Sequence, residues 1–380
     1  METIYLDHAA TSPVAPEVLS DMMQAMGIVY GNASSIHTVG REARKYLDAA
    51  RTVLAQQLGV QAGEIILTSG GTEADNTAIF GTAYARQHEG KHIITTQIEH
   101  HAVLHACEQL ARQGFDITYL PVDETGRVRL EDVQLALRDD TILVTIMYGN
   151  NEVGTIQPIT EIGQILKHHK ATFHTDAVQA FGIENIDAEQ LGIDLLSVSA
   201  HKINGPKGIG FLYVKTGTKL ASFMYGGSQE KKRRAGTENI PAAIGFAKAA
   251  QLQAELRDQT RAKYIRFKEI LRETFDAAGI DYKVNGHKEY CLPHVLNVTF
   301  PGTDVESFLI NLDMAGVLVS SGSACTAGSI DPSHVLVAMF GKDAEQLRSS
   351  IRFSFGLGLT DELVREAGER TATIVKRLVK

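Results

Sequence analysis

The chain has 380 residues, 44% of them hydrophobic and 22% charged, with a formal net charge of −8. That length suits two domains of roughly 150 residues each, and the composition excludes fibrous, disordered and disulfide-scaffold classes. The acidic balance gives no field to attract nucleic acid or an anionic membrane. The three cysteines Cys107, Cys291 and Cys325 lack CxxC spacing, which argues against a disulfide framework and for a reducing cytosol.

The opening Met-Glu-Thr-Ile-Tyr-Leu-Asp has neither the basic nor the apolar region of a secretory signal, and no stretch has the ~18 apolar residues of a membrane span. The expectation is a cytoplasmic protein that keeps its N-terminus. The first fifteen residues, broken up by Pro13 and Pro16, are expected to pack against a C-terminal unit. From residue 64 onward β-rich runs recur at 64–68, 92–97, 117–121, 142–147, 172–175, 195–199 and 210–214. Amphipathic segments at 72–87, 102–113 and 159–168 lie between them. This alternation predicts an α/β fold with a mainly parallel seven-stranded sheet covered by helices on both faces. After Pro241 the texture changes, and 242–278 reads as one or two long helices. Strands at 295–300, 317–320 and 351–355, with helices near 305–314 and 361–379, then form a smaller α+β unit. The predicted division is a large domain over 16–255 and a small one made of 1–15 and 256–380.

In such sheets ligands sit at the carboxyl ends of strands, so four strand-to-helix junctions matter. Ser69-Gly70-Gly71-Thr72-Glu73 could offer backbone N–H groups to a phosphate; Thr72 with Asp75 could equally be a capping box. It is no Walker motif, for the Gly-Lys ending is missing. Asp176 closes a strand and could pair with a cationic ring nitrogen of a cofactor, or cap a helix. The strand Ser197-Val198-Ser199 runs into Ala200-His201-Lys202. A partly desolvated lysine there would have a lowered pKa and could form a Schiff base, while the small Ser199 and Ala200 let a flat ligand approach. In Glu99-His100-His101 one histidine could stack on a ring or move protons, with at most one of the pair facing the site. No metal is expected at this junction.

These junctions carry a sharper signal with Tyr5-Leu6-Asp7-His8-Ala9-Ala10-Thr11, Gly31-Asn32-Ala33-Ser34-Ser35-Ile36-His37, Asn150-Asn151-Glu152-Val153-Gly154, Arg234-Ala235-Gly236-Thr237 and Ser350-Ile351-Arg352-Phe353-Ser354. In order and spacing, over nearly the whole chain, the sequence resembles the fold-type I pyridoxal-phosphate enzymes of the class V aminotransferase group. Within that group it is most similar to the cysteine desulfurases whose catalytic loop reads SSGSAC-T, here residues 320–326. The resemblance implies that Lys202 holds pyridoxal 5′-phosphate and later serves as acid and base. It implies that Asp176 pairs with the ring nitrogen, that His100 stacks on the ring and assists catalysis, and that Gln179 bonds the ring oxygen. Gly71, Thr72, Ser199 and His201 would hold the phosphate, with Thr237 reaching it from the second subunit of a homodimer. Asn151 would border the cofactor and, with Arg352, bind the substrate carboxylate, which a planar guanidinium suits.

Cys325 decides which reaction this is. It stands in a run of small residues without strand or helix period, which predicts a loop; a small buried cysteine is the alternative. The resemblance implies that its thiol attacks the sulfur of L-cysteine, leaving a persulfide and releasing L-alanine. The sulfur would pass to an acceptor protein, an iron–sulfur scaffold or a tRNA-thiolation enzyme. The alternative is a selenocysteine lyase or another class V enzyme. Cys107 and Cys291 read as structural. Two departures stand out: His8 replaces the Asn of many relatives, and Ser228 interrupts what is often a glycine triplet. The basic run Lys231-Lys232-Arg233-Arg234 reads as a solvated loop near a subunit interface, and no direct nucleic-acid binding is expected.

Overall fold

The computed structural model of the chain describes residues 3–321 and 332–379. First come β1 (Ile4–Tyr5), α1 (Pro16–Ile28) and α2 (Thr38–Gln56). The alternating region follows as β2 (Ile65–Thr68), α3 (Gly71–Arg86), β3 (His92–Thr96), α4 (His101–Arg112), β4 (Asp116–Leu120) and α5 (Leu130–Ala136). It continues through β5 (Thr141–Thr145), α6 (Ile159–Leu166), β6 (Thr172–Asp176), β7 (Leu195–Ser199) and β8 (Gly210–Val214). A single turn, α7 (Gln229–Lys232), precedes the long α8 (Ile240–Ala278). The remainder is β9 (Lys283–Asn285), β10 (Val295–Thr299), α9 (Val305–Met314), β11 (Val317–Leu318), α10 (His334–Phe340), α11 (Gln346–Ser349), β12 (Ser350–Ser354) and α12 (Asp361–Leu378).

Among the described residues the central sheet has seven strands in the order β2-β8-β7-β6-β5-β3-β4. All its pairings are parallel except those of β8, which runs antiparallel to both β7 and β2. Strands β3, β5, β6, β7 and β8 are buried along their whole length, because helices cover both faces. The edge strand β4 begins exposed. Gly210 opens β8 where a Cβ would come within 2.8 Å of the Gly70 main chain. The turn before α3 can therefore lie on the sheet only against a glycine.

Two large apolar cores result. One joins sheet residues Leu67, Ile94, Val144, Phe173, Val198 and Phe211 to Leu47 and Leu54 of α2 and to Ala243, Phe246 and Ala250 of α8. The other joins Phe267, Ile270, Leu271 and Phe275 of α8 to Ile4, Leu6, Val298, Phe308, Phe353 and Val364. Each large apolar side chain so buried is worth about 1.5–3 kcal/mol. Helix α8 is continuous over 39 residues, or about 58 Å at 1.5 Å per residue, so one rod carries both cores. The second core is built on the antiparallel sheet β12-β10-β9, and β1 pairs in parallel with β11, Ile4 opposite Val317.

The sequence reading places no element between residues 16 and 63, where α1 and α2 stand, and it omits β1, α5, α7, β9, α10 and α11. Strand β9 has two exposed residues and one buried, too little to make a pattern. Elsewhere the boundaries differ by a residue or two, and the predicted strand 317–320 is only Val317–Leu318.

Candidate active site

Strands β6 and β7 end side by side, Asp176 opposite Ser197. Asp176 is the last residue of β6. After Ser199, the last residue of β7, the chain tightens into a 3-10 turn, Ala200–Lys202. Helix α3 begins at Gly71 and α4 is capped by His100. These ends surround one cavity of about 290 Å³, lined by Gly71, Thr72, His100, Asn151, Asp176, Gln179, Ser199, His201, Lys202 and Arg352. Those are the predicted site residues except two. Thr237 is exposed and does not line the cavity, and Cys325 lies outside the described residues.

The segment after β1 clasps the lysine turn. Lys202 Nζ donates to the carbonyls of Ala9 at 2.5 Å and Ala10 at 2.8 Å. Ser12 Oγ donates to the His201 carbonyl at 2.7 Å and accepts from the Asn204 N–H at 2.9 Å. His201 Nδ1 lies 3.1 Å from Thr11 Oγ1. Asn204 itself has a φ of 63°, the left-handed geometry that asparagine tolerates, and its side chain donates to the Pro13 carbonyl at 2.9 Å.

Asp176 accepts from the Val178 N–H at 2.9 Å, so it closes a turn and lines the cavity together; the capping and cofactor readings do not exclude each other. Burial pushes its carboxyl up, against that hydrogen bond and the positive charge of Lys202. His100 Nδ1 accepts from the Ala102 N–H at 3.1 Å, which leaves Nε2 to carry the proton of the neutral ring. Burial, then the charge of Lys202, pushes this imidazole down to about 4. His101 turns elsewhere, its ring 5.1 Å from His105 and 4.8 Å from His334. Gln179 Nε2 donates to the Ala9 carbonyl at 2.9 Å. Arg352 donates to Asp7 Oδ1 at 2.7 Å and to the Asn151 carbonyl at 3.0 Å.

Sequence reasoning did not assign several participants. Ala9 and Ala10 act through main-chain carbonyls, which no side-chain motif reveals. Asp75 also lines the cavity. The capping-box alternative at Thr72 and Asp75 is not realised, because no side chain caps α3 and Asp75 is buried. Its carboxyl is pushed well up by burial and by the nearby Asp176. At Gly71 a Cβ would come within 2.8 Å of Val178 Cγ2, so a glycine lets α3 approach the end of β6. The basic run is not wholly solvated. Arg234 pairs with Glu73 at 2.7 Å, while Lys231 and Lys232 are exposed. Cys107 is fully buried and burial pushes its thiol up; Cys291 lies 3.6 Å from Lys268 Nζ.

Comparison with known proteins places this architecture. The family model for class V aminotransferases matches residues 4–366. A putative cysteine desulfurase IscS 1 of Bacillus subtilis (strain 168) is 61% identical over 378 residues, covering 100% of both chains. A solved NifS-like protein superposes with a TM-score of 0.92 at 34% identity, over 99% of this chain and 100% of the other. A solved SspA in complex with cysteine superposes with a TM-score of 0.82 at 37% identity, over 93% of this chain and 99% of the other.

Proposed function

Because the chain belongs to the class V aminotransferase family and is a pyridoxal-phosphate-dependent cysteine desulfurase, we propose that L-cysteine gives up its sulfur in the cavity at the ends of β6 and β7. The observation that carries this reading is convergence. An amine, a carboxylate, an imidazole and a guanidinium from distant parts of the chain line one cavity, as Lys202, Asp176, His100 and Arg352. The residues fit the cofactor. The first turn of α3 and the hydroxyls of Thr72 and Ser199 suit a phosphate, and Asp75 Oδ1 and Arg352 Nε are buried without a hydrogen-bond partner among the described residues.

On this reading Gly71, Thr72, Ser199 and His201 hold the phosphate, and Thr237 of a second copy completes that grip in a homodimer. Asp176 pairs with the ring nitrogen, Gln179 donates to the ring oxygen, and His100 covers the ring face. When bound, pyridoxal phosphate supplies an electron sink beside the substrate's α-carbon. Lys202 anchors it and moves protons at that carbon. Asn151 and Arg352 bind the substrate carboxylate, and Asp7 holds the guanidinium in place. The Cys325 thiolate forms a bond to the substrate sulfur as the carbon–sulfur bond breaks. The carbon takes up a proton and leaves as L-alanine, and Cys325 keeps the sulfur as a persulfide. An acceptor protein, an iron–sulfur scaffold or a tRNA-thiolation enzyme, then receives it.

The compartment we assign is the cytoplasm; among the described residues no helix is long and apolar enough to cross a membrane. We divide the chain into a cofactor-binding domain, 16–255, and a smaller unit of 1–15 and 256–380, a boundary that falls within α8. Two variants test the chemistry. Lys202→Ala is expected to lose the visible absorbance of the bound cofactor. Cys325→Ser is expected to keep it yet form no persulfide from L-cysteine, and sulfide release at the wild-type rate from that variant would refute the nucleophile.

A further inference from the structure

A second, much smaller cavity of about 20 Å³ borders Lys202 and Gln179. Two imidazoles share its wall, His8 from the segment after β1 and His294 from just before β10. They are 5% and 7% exposed, and each has an Nδ1 without a hydrogen-bond partner among the described residues. The protonation of His294 follows from its neighbours. The Ala9 carbonyl can only accept, so the Gln179 NH2 must face it. The Gln179 amide oxygen then points to His294 Nε2, 3.1 Å away. His294 must donate from Nε2, which leaves Nδ1 as a bare acceptor in the neutral ring. Burial, then the charges of Lys268 and Lys202, pushes His294 down to about 3. Burial also pushes His8 down to about 4, against a main-chain contact at Tyr5. Both rings therefore stay neutral, and two buried Nδ1 atoms without partners among the described residues belong to the wall of a cavity just above the ~10–15 Å³ that one water requires. An apolar void of that size would stay dry, but two buried ring nitrogens without partners call for one.

We propose that this cavity is a binding site for one water, which donates one O–H to His8 Nδ1 and the other to His294 Nδ1, and that His294 so fixed is a positioning residue for Gln179. The water locks the tautomer of His294. The Nε2–H then holds the Gln179 oxygen, and the second N–H of the Gln179 amide is left to face the larger cavity. This rests on the reading of Gln179 as the donor to the cofactor's ring oxygen.

Three measurements on the holoenzyme test it. A high-resolution crystal structure is expected to show one water within hydrogen-bonding distance of both Nδ1 atoms; an empty cavity overturns the site. Histidine 15N NMR is expected to show His294 neutral and protonated at Nε2 from about pH 5 to about pH 9, where a free imidazole titrates. Titration in that window, or an Nδ1–H tautomer, overturns the proposal. Finally, Gln179→Leu is expected to move the pH midpoint of the cofactor's visible absorption by about one unit, the size of one lost hydrogen bond to a charged oxygen. His294→Leu should move it in the same direction, and His294→Asn, which keeps an N–H donor, should restore it. If Gln179→Leu moves the midpoint and His294→Leu does not, the positioning role is wrong. If Gln179→Leu itself moves nothing, the reading of Gln179 falls first.

Discussion

Glu99, next to the histidine that covers the cavity, is fully buried. One oxygen accepts from Thr96 Oγ1 at 2.6 Å and from the Met147 N–H at 3.0 Å, and the other has no partner among the described residues. Burial pushes its carboxyl up to about 8. The folded chain therefore keeps a proton that the unfolded chain loses near pH 4.3. The stabilisation from that proton is complete below the unfolded value and is lost as pH rises towards about 8. Glu99→Gln keeps the acceptor and removes the titration. Urea denaturation is expected to show the variant gaining on the wild type by roughly 1–3 kcal/mol between pH 5.5 and pH 8. A difference that does not change with pH would mean that Glu99 is ionised throughout. Side chains such as Lys202, Asp176 and His100 could be read in the sequence because each follows an apolar run, where a charged or titratable group needs a reason. Glu99 precedes one of them yet gave no sign of its burial. Its depth comes from packing under α10, where His334 Nε2 meets the Glu99 carbonyl at 2.8 Å.

At the scale of elements, α8 has both stop signals written in its sequence. Asn239 accepts from the Ala242 N–H at 3.2 Å, with Pro241 in the first turn, and Gly279 ends the helix at a φ of 64°. Only glycine adopts that left-handed cap without penalty. Gly279→Ala is expected to cost about 1 kcal/mol in denaturant melts while leaving cofactor absorbance unchanged; loss of the absorbance would tie the two cores more tightly than the geometry suggests. The buried strands were legible because full burial on both faces leaves continuous apolar runs, as in Ile142-Leu143-Val144. Helix α2 buries Ala43, Leu47, Ala50 and Leu54 at helical spacing, but alanines make half of that stripe and dilute its signal. Strand β9 depends on its partner β10 through Asn297, Val298 and Thr299, a long-range pairing that three residues cannot announce.

For the whole molecule, the open question of assembly turns on Thr237. It is exposed in a single chain, two residues beyond Ala235 and three beyond the Arg234–Glu73 pair that ties this segment to the start of α3. If it completes the phosphate grip of a second copy, activity lost in Thr237→Ala should return on mixing with Lys202→Ala. A mixed dimer would then have one site with an intact lysine and an intact threonine. Desulfurase assays of the re-associated mixture are expected to exceed the sum of the two parents several-fold. Mere additivity would show that Thr237 does not act across subunits.

The pairing of β1 with β11 also bears on the order of events at the ribosome. Ile4 must wait for Val317 to be made, roughly 15–60 s later at 5–20 residues per second. Until then Ala9 and Ala10 are held beside Lys202 by the bonds that Thr11, Ser12 and Pro13 make to the lysine turn and its flank. The segment that clasps the amine therefore gains its outer anchor only when most of the chain has been made. Arg352 comes later still, so the full lining of the cavity exists only in a nearly finished chain.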